Sequence, residues 1–272
     1  MKNKQLLLVA LNWLLISRSH GNCPTYSLTP EYLTPATPAY LIFNQYSSRQ
    51  KSMPANFRVI KDYQILASAQ FTLKQFQNAT LTTPGIIDVD LRSEYHGFIN
   101  AMPVSFKTLP DNNINASKSQ DLIIKHEHYL FNRTLRALPY TSIYSENLKA
   151  PPTANSVQRC TPTANSMTES QAMAELNNTY YRISELDHLQ PSMANLDALV
   201  RLYDTRLKSN PKQWVYLHCQ GGAGRTTTAI AALIMLKQQD STQKLDTLAN
   251  IIMYAQNHSH GYQLQCKRIK IL

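Results

Sequence analysis

The chain has 272 residues, enough for one large domain or two small ones, and for a core that needs no metal or disulfide staple. Charged residues make up 16% and hydrophobic ones 43%, which excludes a disordered tail, a membrane bundle, a collagen and a coiled coil. With 27 Lys and Arg against 17 Asp and Glu the formal charge is +10, so a basic enzyme or binding domain remains.

Residues 1–21 read as a secretory signal peptide. Lys2 and Lys4 open a positive segment, and the apolar run from Leu6 to Ile16 falls short of the ~20 residues a spanning helix needs. Ser19 and Gly21 then place small residues before a cut at Asn22. Lys2, Lys4 and Arg18 would leave with the leader, so most of the basic excess belongs to the mature chain. The expectation is a periplasmic or secreted protein with no stable membrane anchor. Residues 22–53, rich in Pro, Tyr, Ser and Thr, are expected to form an irregular arm, and 54–272 the folded domain.

Gly85 to Arg92 (GIIDVDLR) has the β-branched content of a strand. Ser117 to Leu138 carries Leu122, Ile123, Tyr129, Leu130 and Leu135 at helical spacing. Ala150 to Ser166, with PTANS at Pro152 and again at Pro162, reads as a surface loop. Thr168 to Leu176 is expected to be a short helix opened by the capping-type residue Thr168. A strand over Thr179 to Ile183 follows. The helix Ser192 to Leu207 places Leu196, Leu199, Val200, Tyr203 and Leu207 on one face. Trp214 to Cys219 is a buried strand and Arg225 to Lys237 an apolar helix. Strands alternating with helices imply an α/β fold, a mainly parallel sheet flanked by helices. Ligands of such sheets bind at the carboxyl ends of strands, and Cys219 sits at one.

The chemistry is concentrated in His218 to Thr227, HCQGGAGRTT. A cysteine ends a strand, Gln220, Gly221, Gly222, Ala223 and Gly224 make a turn, and Arg225 opens a helix. Glycines let successive backbone N–H groups converge on an anion, and the helix N-terminus adds partial positive charge. Arg225 brings a planar fork suited to two phosphate oxygens. The field of such a turn favours the thiolate of a cysteine at its mouth. The bland alternative is a structural cysteine before a tight turn. A Gly-x-x-x-x-Gly-Lys-Ser/Thr loop is absent, which disfavours nucleotide hydrolysis.

HCQGGAGRTT resembles the active-site loop of the protein tyrosine phosphatase superfamily. Within it the chain is most similar to the bacterial protein-tyrosine-phosphatase-like inositol polyphosphatases (phytases). PANFR at Pro54 to Arg58, DLRSEYHGFINAMPVS at Asp90 to Ser105, YYRISELDHLQP at Tyr180 to Pro191 and HCQGGAGRTT carry the likeness, in the family's order. The resemblance implies a twisted sheet flanked by helices, a smaller elaboration beside the pocket, no metal cofactor and an extracytoplasmic phosphomonoesterase of inositol polyphosphates. By position, Cys219 matches the nucleophile, Arg225 the phosphate-binding arginine and Thr226 the hydroxyl that stabilises the departing thiolate. Asp187 matches the general acid on a mobile loop. Arg58 and His188 match substrate contacts, while Arg92 and Glu94 are as well read as a surface ion pair.

Three departures from the family's pattern stand out. Gln220 replaces a frequent acidic residue, which should make the cradle slightly more positive. Gln190 replaces the aromatic residue before Pro191 that helps the acid loop close. The chain also ends at Leu272, where relatives continue with a long helix and a basic segment whose place Lys267, Arg268 and Lys270 would have to take. Two other readings stay open: a protein phosphotyrosine phosphatase exported as an effector, and a non-catalytic phosphate-binding derivative.

The pairs His126/His128 and His258/His260 have no metal-site spacing and are expected to be solvated, Glu127 with the first. Lys and Arg are dispersed, which argues against nucleic-acid binding. Cys23, Cys160 and Cys266 allow one structural disulfide in an exported chain.

Overall fold

The computed structural model describes residues 39–44, 52–109, 114–153 and 156–238. The leader, most of the arm, His258, His260 and the Lys267–Lys270 group lie outside them. A five-stranded sheet contains β2 (Arg58–Ile60), β3 (Ile65–Ser68), β4 (Ile87–Asp90), β10 (Thr179–Arg182) and β11 (Val215–His218), in the order β10-β4-β11-β3-β2. All neighbours run parallel except β2, which pairs antiparallel with β3. This is the mainly parallel sheet that the strand–helix alternation calls for.

A second sheet of six strands, mostly antiparallel, is not foreshadowed by that alternation. It contains β1 (Ala39–Phe43), β5 (His96–Ile99), β6 (Met102–Thr108), β7 (Tyr140–Tyr144), β8 (Val157–Pro162) and β9 (Ser166–Thr168), ordered β8-β7-β1-β6-β5-β9. Two expectations are corrected by it. Residues 39–43, read as irregular arm, form an inner strand, because Ala-Tyr-Leu-Ile-Phe is a short run of strand-favouring residues beyond the prolines. The stretch from Ala150 to Ser166, read as surface loop, contributes β8 and the start of β9. Cys160 on β8 is disulfide-bonded.

The helices start where their caps direct. Thr72 and Thr168 close capping boxes at the heads of α1 (Leu73–Ala79) and α3 (Glu169–Glu175), and Ser119 caps α2 (Gln120–Tyr129). Ser192 does the same for α4 (Met193–Leu202), whereas α5 (Gly224–Lys237) has no side-chain cap. The buried faces differ somewhat from the expected ones. Leu122, Tyr129 and Val200 are exposed, and Leu202 joins Leu199 and Leu207 against the sheet.

Alternation gives the parallel sheet two unlike faces. Ile65, Ala67, Ile87, Val89, Val215 and Leu217 face α4 and α5 in the main apolar core. The opposite face carries Asp88, Asp90, Arg182, Tyr216 and His218, all buried. These charges are answered from the second sheet and its helices. Arg182 Nη1 lies 2.8 Å from both Glu127 carboxylate oxygens, and Arg182 Nε donates to the Arg92 carbonyl at 2.9 Å. His96 Nε2 lies 3.2 Å from Asp90 and 3.3 Å from Glu169. His126 and Glu127, expected in solvent, are therefore buried, His126 Nδ1 lying 3.0 Å from the Tyr95 hydroxyl; His128 is exposed. The 3.6-residue period that turns Ile123 inward turns these two inward as well.

Two expected outcomes follow from this interior. Arg182→Met should cost about 3–5 kcal/mol, because it strands the Glu127 carboxylate, and adding Glu127→Leu should recover a large part of the loss. Urea titration of the single and double variants checks this, and strictly additive losses would dissolve the pair. The second outcome concerns pH. Burial alone would lower the His96 pKa, but Asp90 and Glu127 outweigh it and raise it from 6.5 to about 9. Its contribution is complete below 6.5 and lost as pH rises through about 9. For Glu94, burial opposes ionisation, but Arg225 and Arg92 hold the carboxyl down from 4.5 to about 2. That contribution is complete above 4.5 and lost as pH falls through about 2. The denaturation midpoint should therefore be highest near pH 5–6 and fall on both sides, and a midpoint rising steadily to pH 9 would contradict the His96 assignment.

Candidate active site

The parallel strands end in a common layer. His218 is in register with both Asp90 of β4 and Ser68 of β3, so Cys219 emerges between the segments after those strands. The turn from Gln220 to Ala223 is held by main-chain groups of both neighbours. Leu91 N–H donates to the His218 carbonyl at 3.0 Å, and Gln70 N–H to the Gln220 carbonyl at 3.1 Å.

Gly222 shows why a side chain is not tolerated in this turn. It adopts φ +68°, and a Cβ there would lie 2.3 Å from the Ala69 nitrogen. Its N–H points back into the turn and donates to Cys219 Sγ at 3.2 Å. Cys219 is buried, at 3% exposure, and is a free cysteine. The α5 N-terminus behind the turn keeps its positive end without a side-chain cap.

Two residues of the PANFR segment grip the turn from the side. Asn56, in the left-handed region at φ +55°, donates Nδ2 to the Gly221 carbonyl at 2.7 Å. Arg58 Nη1 donates to the Gly222 carbonyl at 2.8 Å, and Nη2 to Thr227 Oγ1 at 3.1 Å. The guanidinium of Arg58, expected to face a ligand, is thus directed at the backbone of the turn and at α5.

Arg225 is fully buried in the first turn of α5. Its Nη1 donates to Glu94 Oε2 and to the Glu185 carbonyl, both at 3.0 Å, and its Nη2 lies 3.2 Å from Asp187 Oδ1. Burial disfavours a charged guanidinium, but Glu94, Asp187 and Cys219 outweigh that and keep Arg225 firmly protonated. Arg92 Nε stands 3.5 Å from the same Glu94 oxygen, both side chains buried. The Arg92–Glu94 pair is therefore not a surface ion pair but the interior support of Arg225. Thr226 Oγ1 is buried and has no hydrogen-bond partner among the described residues.

The structure thus brings Cys219, Gly222, Arg225 and Asp187 together and leaves His188 apart. His188 has φ +59° and a side chain 93% exposed; its Nε2 lies 3.5 Å from Asp187 Oδ2. Gln190 is exposed on the same loop.

Sequence reasoning missed several residues behind the turn. Gln70 donates Nε2 to Glu169 at 2.8 Å and accepts from Arg92 Nη1 at 2.8 Å, while its own N–H holds Gln220. Glu169 also lies 2.7 Å from His218 Nε2. Aspartates at alternate positions of an otherwise apolar strand, Asp88 and Asp90, were the available signal. Asp88, Glu169 and His218 offer ligand atoms within 4.8 Å of one another, near enough to hold a metal ion. Burial, with Glu169 and Asp90 beside it, pushes the Asp88 carboxyl well above its ordinary value.

Residues 89–237, just over half of the chain, match the family model of protein-tyrosine-phosphatase-like phytases, described by inositol hexakisphosphate. Over 152 residues the chain is 30% identical to the effector protein hopD2 of Pseudomonas syringae pv. tomato, 55% of this chain but 31% of that protein. It thus spans about a third of the length of that curated relative. The fold is similar to a protein-tyrosine-phosphatase-like phytase from Bdellovibrio bacteriovorus, with TM-score 0.59 and 22% identity over 83% of this chain and 79% of that one. It is also similar to the myo-inositol phosphatase of Mitsuokella multacida, solved with myo-inositol-(1,3,4,5)-tetrakisphosphate. There the TM-score is 0.64 and the identity 22%, over 84% of this chain and 40% of that one. With a match that runs from β4 through the cysteine turn to the end of α5, the chain belongs to the protein-tyrosine-phosphatase-like phytase family.

Proposed function

We propose that the chain hydrolyses phosphomonoesters through a cysteinyl-phosphate intermediate and that its substrates are inositol polyphosphates. The observation that carries this reading is the convergence of Cys219, the buried Arg225 and Asp187 at one turn, Asp187 Oδ1 lying 3.2 Å from Arg225 Nη2. The phosphoryl oxygens would be held by the N–H groups of residues 220–224 and the fork of Arg225. A phosphate entering that fork takes over the Nη2 contact of Asp187 and frees the carboxyl to face the leaving oxygen.

The Cys219 thiolate attacks phosphorus, the ester P–O bond breaks, and Asp187 gives its proton to the leaving alkoxide. Asp187, now a carboxylate, takes a proton from water, whose oxygen attacks phosphorus. The S–P bond breaks, inorganic phosphate leaves, and the thiolate returns beside Thr226. The step requires no metal. Arg58 and Asn56 hold the turn in shape for it, and His188 is the candidate for a further phosphate of the ring. Family membership supports the inositol substrate, and the Mitsuokella multacida protein with its bound tetrakisphosphate supports it further.

We read the chain as exported, to the periplasm or beyond. The leader pattern supports this, and so does a disulfide at Cys160, which suits an oxidising compartment. No helix among the described residues is long and apolar enough to cross a membrane. A protein phosphotyrosine phosphatase is the second reading, favoured by the similarity to an effector protein.

Cys219→Ser should abolish turnover and retain phosphate binding, since the cradle keeps its N–H groups and Arg225; residual hydrolysis above a trace would remove Cys219 from the role. Asp187→Asn should slow release of a ring alcohol by about 10²–10⁴-fold, and of a nitrophenolate far less, because that leaving group needs no proton. Equal losses on the two would reassign the acid. Phosphate release from inositol hexakisphosphate and from a phosphotyrosine peptide, measured side by side, decides the substrate: a clear preference for the peptide overturns the inositol reading.

A further inference from the structure

One side chain from the second sheet reaches the rim of the cradle. Gln220, directly after Cys219, donates its amide Nε2 to Glu146 Oε1. Glu146 lies just beyond β7, and its main chain is pinned by Lys107 of β6, whose Nζ donates to the Glu146 carbonyl at 2.8 Å. Both Gln220 and Glu146 are half-buried, at the edge of the site rather than beneath it. The chemical steps make no use of this carboxylate. Gln220 is neutral, so the sequence leads to a turn with no acid of its own, and the fold supplies one from the neighbouring sheet.

We propose that Glu146 is a specificity-determining residue that limits how much negative charge a ligand of the cradle can carry. The inference rests on reading the turn as an anion site. A fixed carboxylate at the rim repels every charge of a ligand that extends past the turn. A single phosphate, buried against the N–H groups and Arg225, has few charges to feel it. A ring with several phosphates presents many, and the repulsion sums over them. The cradle therefore favours partly dephosphorylated rings over fully phosphorylated ones more than its own basic groups would dictate. Because the rim is solvated, the effect falls with salt over the Debye length of about 10 Å at 0.1 M.

Calorimetric titration of the full chain carrying Cys219→Ser, with inorganic phosphate and with inositol hexakisphosphate, tests this without hydrolysis. Glu146→Gln keeps an oxygen to accept the Gln220 amide and removes only the charge, while Glu146→Ala removes both; melting curves confirm that each is folded. Glu146→Gln should tighten hexakisphosphate binding about three- to tenfold at low salt and change phosphate binding less than about twofold. The difference should close near 0.5 M salt, where screening is nearly complete within about 4 Å. Equal effects on the two anions, or weaker hexakisphosphate binding in Glu146→Gln, overturn the proposal. If Glu146→Ala weakens both anions while Glu146→Gln alters neither, Glu146 is a brace for the turn and the proposal also fails. Absence of any phosphate binding would instead remove the anion site, and the proposed function with it.

Discussion

A guanidinium with no exposure to solvent is tolerable only where carboxylates are fixed beside it, and Arg225 imposes that demand on this fold. Glu94 meets it at 3.0 Å from the segment after β4, and the Glu185 carbonyl from the segment after β10. The first turn of α5 is thereby tied to the ends of two strands. Arg225 cannot turn away without stranding Glu94, nor Glu94 without stranding Arg92 beside it. In the proposed reaction the arginine is thus held ready before any anion arrives, the condition under which an electrostatic site contributes most.

Support for that pair extends through the interior. A parallel sheet buried on both faces ordinarily reads as continuous apolar strands. Here β4 alternates Ile87 and Val89 with Asp88 and Asp90, and the charged side meets Arg182, His96 and Glu169. Those residues come from both sheets and from the head of α3. The second sheet is accordingly part of the site's foundation: Ser105 of β6 accepts from Arg92 Nη2 at 2.7 Å, while Gln70 links Arg92 to Glu169 and places its own N–H on the turn. Paired charges of this kind add little net stability over an apolar packing, but they fix one arrangement.

The string from His218 to Thr227 was legible because its chemistry is local: backbone freedom at Gly222, a helix start and an arginine in its first turn. The capping residue Thr168 likewise marked α3. What the sequence concealed depends on partners distant along the chain. Glu127 looks like a surface residue until Arg182, 55 positions away, is set against it. The strand at 39–43 is too short to stand out from a proline-rich arm, and it is fixed by pairing with β6. Arg58 shows the same limit. Its place was found, but its hydrogen bonds to Gly222 and Thr227 belong to the turn's architecture. Glu146 left no local trace at all, since only the approach of the second sheet brings it to Gln220.

In the proposed reaction a phosphoryl group passes through the sulfur of Cys219. Rapid acid quench during turnover of an aryl phosphate by the Asp187→Asn variant, followed by mass spectrometry of the peptide bearing Cys219, tests it directly. Replacing the acid should slow hydrolysis of the thiophosphate more than its formation from an activated ester. One phosphoryl group is expected on Cys219, accumulating within the first turnover and lost on further incubation. Turnover with no phosphoryl group on Cys219, or with one on another residue, would contradict it.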